Sequence, residues 1–253
     1  MSVELYNKDR HVCVAFRDLV SGEAVQANQF LIFDSDHAAL IDPGGDLTYT
    51  ALFMGISHYL NVKHLDYVVA SHQDPDIVAS LNKWLVATDC KVVVPALWER
   101  FIPHFTRPGK LAGRVVAIPD PGINLQLGSI QLNAIPAHFL HAEGNFQFYD
   151  PRSRILFSGD LGANLCPADE LDRPAKKLDE VLPYMEGFHK RYMNSNQVCR
   201  YWARMVADID ITMIAPQHGR PLVGKAVAEF IRWISELQCG VDLMTQSNYK
   251  IPG

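Results

Sequence analysis

The segment His72-Gln73-Asp74-Pro75-Asp76 places one imidazole and two carboxylates at alternate positions, directly after the apolar run Tyr67-Val68-Val69-Ala70. A loop that leaves a strand can turn alternate side chains toward one point, and imidazole together with carboxylate suits a first-row transition metal. The same residues also fit a helix start, because Asp74 before Pro75 is a good N-cap and Asp76 favours the positive helix end. These five residues alone leave both interpretations open.

Three more polar residues stand in comparable positions, each after an apolar run and before a turn that contains glycine. His141 lies in His141-Ala142-Glu143-Gly144, Asp160 ends Ser158-Gly159-Asp160, and His218 lies in Pro216-Gln217-His218-Gly219. A single His or Asp at such a place is usually structural, but four segments that together supply three His and three Asp are hard to explain in that way. We therefore expect one two-metal site at the rim of a sheet, formed by His72, Asp74, Asp76, His141, Asp160 and His218.

Apolar runs and turn signals predict the elements that position these residues. Phe30-Leu31-Ile32-Phe33 and Ala38-Ala39-Leu40-Ile41 flank Asp34-Ser35-Asp36, which is typical of a hairpin. One helix is expected from Pro75 through Leu85, and from about Asp169 onward the chain is expected to be mostly helical. Strands and helices in this order favour sheets covered by helices. Since no Gly/Ser- or Pro-rich linker divides the chain, we expect one α/β (α+β) domain over residues 1–253.

Composition narrows the class of partner. The net charge of −5 and the pI of about 6.0 give no basic surface for nucleic acid or for an anionic membrane. No signal peptide and no apolar run of about 18 residues, the length that spans a bilayer, is recognisable. The five cysteines are scattered without a CxxC pair, which favours free thiols in a reducing cytoplasm. We expect a cytoplasmic protein whose partner is a small molecule or another protein.

The four motifs together resemble the metallo-β-lactamase superfamily, whose ligands follow the order His-x-[His/Glu/Asp]-x-Asp, His, Asp, His. The match extends between positions 72 and 218, and Asp42-Pro43-Gly44 after a strand fits the same pattern. The resemblance implies a four-layer αββα sandwich with the two-metal site at one edge of the packed sheets.

Two departures from the zinc-hydrolase pattern, His-x-His-x-Asp-His, change the expected metal. Asp74 stands at the second ligand position, and Ile77 replaces the last histidine. Three imidazoles and three carboxylates result, and hard oxygen donors favour iron or manganese over zinc. Three carboxylates nearly balance two divalent ions, and Asp160 is the expected bridge. Ile77 leaves the second ion with fewer protein ligands, hence an open position for a diatomic molecule or peroxide.

The carboxylate at position 74 is similar to the lactamase-like domain of flavodiiron proteins, and more closely to stand-alone oxygen-binding diiron proteins. The similarity includes the stretch Gly187-Phe188-His189-Lys190-Arg191-Tyr192-Met193-Asn194-Ser195-Asn196. It implies that His72, Asp74, His141 and Asp160 bind one iron, and that Asp76, Asp160 and His218 bind the other. Asp74 stands where these proteins usually have Glu, so its shorter side chain binds either directly or through water. No flavodoxin module follows, so the resemblance implies no FMN on this chain.

Two functional hypotheses follow. The first is a non-haem diiron protein that binds dioxygen or peroxide and reduces it when electrons are supplied. It would act either as a redox sensor with a signalling partner or as an oxidoreductase with a separate electron donor. The alternative is a dinuclear zinc hydrolase of thioesters, lactones or phosphoesters. A homodimer is compatible with both.

The remaining histidines are assigned from their spacing. His138 and Tyr192 are candidates for orienting the metal ligands, and His189 is either part of the site or a surface residue of a helix. Surface or capping positions are expected for His11, His37, His58, His64 and His104.

Overall fold

The computed structural model describes residues 2–20, 22 and 24–252, which form two β-sheets and the helices around them. The first sheet has its strands in chain order: β1 Ser2–Lys8, β2 His11–Phe16, β3 Gln29–Asp34, β4 His37–Ile41, β5 Leu65–Val69, β6 Lys91–Pro95 and β7 Val115–Ile118. The strands β1 to β4 are antiparallel, and β4 to β7 are parallel.

The second sheet has the order β13-β12-β11-β10-β9-β8. Its strands are β8 Ile123–Leu127, β9 Ile130–Pro136, β10 Phe146–Asp150, β11 Ile155–Phe157, β12 Met213–Ala215 and β13 Leu222–Val223. All neighbouring pairs are antiparallel except β11 and β12, which are parallel. The parallel pairs matter for the site, because the carboxyl ends of parallel strands open onto one rim.

The helices are α1 Tyr49–Ser57, α2 Pro75–Val78, α3 Leu81–Ala87, α4 Ala96–Glu99, α5 Leu182–Tyr192, α6 Asn196–Val206 and α7 Lys225–Glu236. None of the helices in the described residues is long and apolar enough to cross a bilayer.

Three apolar clusters define four layers. Between the sheets, Phe30 and Phe157 meet with ring centroids 5.0 Å apart. Leu52 of α1 and Trp84 of α3 pack on the outer face of the first sheet, and α5 to α7 cover the outer face of the second sheet. The alternation of side chains along each strand supplies one face to the helices and the other to the centre. The predicted αββα sandwich is confirmed.

The helix predicted from Pro75 through Leu85 is in fact two helices, α2 and α3. The reason is Ser80, whose backbone N–H and hydroxyl both donate to the carbonyl oxygen of Gly44 on the loop after β4. A donor that is used outside the helix interrupts the i to i−4 ladder. The break fastens α2, with its acidic residues, against the strand end at Ile41.

His11 corrects one expectation. It was expected on the surface, but its side chain is fully buried between the sheets, with Nδ1 3.2 Å from Asp34 Oδ1 and Nε2 2.7 Å from Asp150 Oδ2. Cys13 Sγ also donates to Asp150 Oδ2, at 3.4 Å. The other four histidines of that group, His37, His58, His64 and His104, are exposed as expected. All five cysteines are free, and only Cys166 is not fully buried.

Candidate metal centre

The six predicted ligands meet at one rim of the sandwich. His72 follows β5, Asp160 follows β11 and His218 follows β12, so each stands just beyond the carboxyl end of a strand. Asp74 and Asp76 lie at the start of α2, and His141 lies in the loop between β9 and β10. Local sequence therefore delivers each donor to the end of an element, and the packing of the two sheets brings the ends together.

Four of the six form the tighter group. One ligand atom from each of His72, Asp74, His141 and Asp160 lies within 4.8 Å of the others. Asp74 Oδ2 is 3.1 Å from His141 Nε2 and 3.6 Å from His72 Nε2. Asp160 Oδ2 is 3.4 Å from His141 Nε2 and 3.9 Å from His72 Nε2.

The other two ligands complete a second group on the far side of Asp160. His218 Nε2 lies 3.4 Å from Asp76 Oδ2 and also 3.4 Å from Asp160 Oδ1. The two carboxylate oxygens of Asp160 therefore face different groups of ligands. A carboxylate in this position is suited to bridge two cations.

The position of the Asp74 side chain distinguishes between its two predicted roles, helix cap and metal ligand. It occupies the N-cap position of α2, but its side chain makes no capping hydrogen bond. Its carboxylate is directed instead at the imidazoles of His72 and His141. Asp74 is therefore a member of the cluster and not a helix cap.

The donor set fits a pair of metal ions. His72 Nε2 and Asp160 Oδ1 are buried and have no hydrogen-bond partner among the described residues. Buried polar atoms are almost always paired, so such atoms call for an ion or another ligand. Three imidazoles and three carboxylates are the nitrogen and oxygen donors that iron, manganese and zinc accept.

Neighbouring groups fix the direction of two imidazoles. His218 Nδ1 donates to the carbonyl oxygen of Gln26 at 2.7 Å, so Nε2 is the ring nitrogen that faces the cluster. Ser71 Oγ lies 3.0 Å from His72 Nδ1 and serves the same purpose. Gln217 Nε2 donates to Asp76 Oδ2 at 3.3 Å. Sequence reasoning missed Gln26 and Gln217, because Gln26 acts through a backbone atom and Gln217 is distant in the chain from Asp76.

The pKa values in the cluster are shifted by burial and by the neighbouring carboxylates and imidazoles. Burial lowers the pKa of His218, but the adjacent carboxylate of Asp160 outweighs it and raises the pKa to about 9. For Asp160, burial acts to raise the pKa, but hydrogen bonding and charge from the three imidazoles leave it below its usual range. The pKa of Asp76 is raised, chiefly by burial. Metal binding must therefore displace protons from the imidazoles, which makes the affinity depend on pH.

His189 is the most informative residue outside the six. It is fully buried, its Nδ1 donates to the carbonyl oxygen of Met185 at 2.8 Å, and its Nε2 accepts the N–H of Gly162 at 2.9 Å. Burial lowers its pKa to about 4. A neutral imidazole therefore fastens the turn that carries Asp160. Its spacing of four residues from the buried Met185 on α5 is the signal that could have indicated this position.

The two residues expected to orient ligands differ in position. Tyr192 is half exposed, and its ring meets His141 edge-on at 5.4 Å and stacks on Phe188 at 4.7 Å. His138 lies apart from the cluster: its Nε2 is 2.9 Å from the carbonyl oxygen of Asp120, and its ring packs against Phe146. Ile77 is fully buried in the core under α2.

A cavity of about 600 Å³ opens above the cluster. Asp74, Asp76, His141, Asp160 and His218 form its floor. Its walls are mainly apolar, with Val25, Leu47, Leu165, Phe188 and Tyr192 among them. The cavity therefore combines ionisable side chains on its floor with mainly apolar side chains on its walls.

The layers and the rim site define a protein of the metallo-β-lactamase fold. A family model described as ODP family beta lactamase matches residues 25–219. The chain belongs to that family.

The relatives agree with this assignment. The chemotaxis sensor ODP, solved as a peroxy diiron species, is 38% identical, with a TM-score of 0.85, over 96% of this chain and 97% of that one. The apo state of the same sensor from T. denticola is 37% identical with a TM-score of 0.86, over the same shares of the two chains. A flavo di-iron protein mutant from Thermotoga maritima, at 16% identity and a TM-score of 0.76 over 93% of this chain and 61% of that one, shares the fold.

Longer relatives contain the same unit. An uncharacterised protein of Methanocaldococcus jannaschii is 23% identical over 81% of this chain, which spans 52% of that protein. A putative diflavin flavoprotein of Synechocystis is 27% identical over 83% of this chain, which spans 35% of that protein. The chain thus spans about half the length of the first of these curated relatives and about a third of the second.

Proposed function

We propose that this protein holds two iron ions at the rim site and binds dioxygen or peroxide there. The observation that carries the proposal is the convergence of six donors, with the two oxygens of Asp160 directed to opposite groups. The peroxy diiron form of the related chemotaxis sensor, at 38% identity over nearly the whole chain, supports iron over zinc.

The assignment of ligands follows the two groups. His72, Asp74, His141 and Asp160 would hold one ion, and Asp76, Asp160 and His218 would hold the other. A pair of ferrous ions held by these residues would supply two electrons for the reduction of dioxygen, one from each ion.

The protein's own groups prepare the site for that chemistry. Three carboxylates offset most of the charge of two divalent ions, and the carbonyl oxygen of Gln26 orients His218. The apolar walls, including Phe188 and Leu165, lower the polarity of the space above the floor, which strengthens the electrostatic interactions there. Tyr192 packs on the ring of His141 and limits its rotation.

We further propose that the protein acts as a sensor, whose state a signalling partner detects, and that any sustained reduction depends on a separate electron donor. The sensor function of its relative supports this choice. Both functions use the same six ligands.

The test is metal analysis and visible spectroscopy of protein produced with ample iron. We expect about two irons per chain, since the six donors divide into two groups. We also expect near-ultraviolet absorption that bleaches on reduction and returns in air. Two zinc ions and a featureless spectrum after iron-replete growth would support the zinc hydrolase alternative and contradict the proposal.

A further inference from the structure

A second, much smaller cavity lies beside His72, with a volume of about 30 Å³. It is lined by Val78, Val94, Trp98, Phe101 and Phe105, and His72 is part of its wall. His72 does not line the large cavity, but its Nε2 faces Asp74 and Asp160, which do. His72 therefore belongs both to the wall of the small cavity and to the metal cluster.

The wall of the small cavity is made of carbon atoms. A water molecule needs about 10–15 Å³ and two to four polar partners, so this cavity has the room, and Trp98 and Gln73 are the lining residues with unpartnered buried polar atoms. Apolar cavities that stay dry take up apolar atoms and molecules such as xenon. The space suits a small apolar molecule.

Two of the lining residues also reach the protein surface. Phe101 and Phe105 have exposed fractions of 42% and 38%. Partly exposed side chains change rotamer on a picosecond to nanosecond scale, so an uncharged gas can pass them without unfolding of the sheet.

We propose that this cavity is a docking site for dioxygen next to the metal centre, with His72 shared between the two. The choice of dioxygen among apolar diatomic gases rests on the proposed function. The structure supports the proposal with an apolar space of the right size, one of whose lining residues is also a member of the ligand cluster.

A water molecule is the competing occupant of the small cavity, because two polar atoms of its lining residues lack partners among the described residues. Trp98 Nε1 and Gln73 Oε1 are buried and have no hydrogen-bond partner among the described residues. A water that bridged the indole N–H and the amide oxygen would satisfy both. An ordered water in the cavity at high resolution would overturn the proposal.

The first experiment is crystallography under xenon pressure with both metal-free and iron-loaded protein. We expect a xenon peak in the small cavity in both forms, since its wall does not depend on the metal. Val94→Ile and Val94→Met fill the space progressively and should reduce and then abolish the peak. Val116→Met, on the neighbouring strand β7 and outside the cavity wall, is the matched control and should retain it.

The second experiment is stopped-flow mixing of the reduced, iron-loaded proteins with dioxygen. Val94→Met should lower the second-order rate constant by roughly tenfold, at unchanged iron content, and Val116→Met should leave it unchanged. Xenon binding without any effect of Val94→Met on the rate would refute a docking role. If the protein takes up no iron, the proposed function fails, while the xenon result still reports on the cavity.

Discussion

The buried histidine of α5 makes the fold sensitive to acid in a way that can be measured. His189 is neutral in the folded protein, with its pKa lowered to about 4 by burial, whereas an exposed imidazole titrates near 6.5. Between these two pH values the unfolded chain binds a proton that the folded chain does not. The stabilising contribution is therefore fully present above pH 6.5 and is lost as the pH falls toward 4.

The size of the loss follows from the shift in pKa. The gap between 6.5 and about 4, at about 1.4 kcal/mol for each unit, corresponds to about 3 kcal/mol of unfolding free energy. That is a large part of the 5–15 kcal/mol by which a domain is typically stable. Protonation would also abolish the acceptor for the Gly162 N–H and so loosen the turn that carries Asp160.

His189→Gln and His189→Leu separate the proton from the hydrogen bond. The amide oxygen of glutamine can accept the Gly162 N–H but does not titrate, so this variant should keep the turn and lose the acid sensitivity. Leucine leaves the Gly162 N–H buried without an acceptor, at a cost of about 1–3 kcal/mol at every pH.

The assay is urea unfolding of the metal-free proteins by circular dichroism, at intervals from pH 7.5 to 4. Since the other titrating groups are shared, the difference in unfolding free energy between the wild type and His189→Gln isolates this imidazole. The wild type should lose about 3 kcal/mol relative to the glutamine variant over that interval. A difference that stays constant with pH would refute the reasoning.

Iron affinity provides an independent readout of the position of Asp160. His189→Leu should bind iron more weakly than His189→Gln at pH 7.5, because only the glutamine preserves the bond to the Gly162 turn. Equal affinities would show that the turn does not need this bond to present Asp160.

Local signals in the sequence predict much of this fold. The hairpin of β3 and β4 is confirmed, because turn residues and flanking apolar runs are neighbours in the chain. The two-metal site is predicted by the same logic, since each donor follows its own strand or turn. The paired antiparallel strands β10 and β11 were likewise expected from Asp150-Pro151-Arg152-Ser153.

Long-range contacts explain what the sequence could not indicate. The carboxylates that hold His11 are 23 and 139 residues away, so nothing near His11 marks it as buried. The break at Ser80 depends on the carbonyl oxygen of Gly44, which is a backbone atom and leaves no mark in residue types. The role of Gln26, which orients His218 through its backbone carbonyl oxygen, is not predictable for the same reason.

The remaining predictions concern the buried contacts of His11, the packing of Ile77 and the bridging role of Asp160. His11→Ala removes the imidazole that joins the buried carboxylates of Asp34 and Asp150 and leaves them with Arg152, Ser129 and Ser153, so it should cost about 1–3 kcal/mol of unfolding free energy in urea. His37→Ala, at an exposed ion pair, should cost at most about 1 kcal/mol. Ile77→His places a polar ring in the core under α2, so it should cost about 1–3 kcal/mol and should not raise the number of metal ions bound per chain. Asp160→Ala should lose both irons, because each of its oxygens faces a different group of ligands, whereas Cys166→Ser, at a half-buried thiol a few residues along the chain, should keep them. If Asp160→Ala retained one iron in metal analysis, the other group would be complete without this carboxylate, and Asp160 would be a terminal ligand of a single ion and not a bridge.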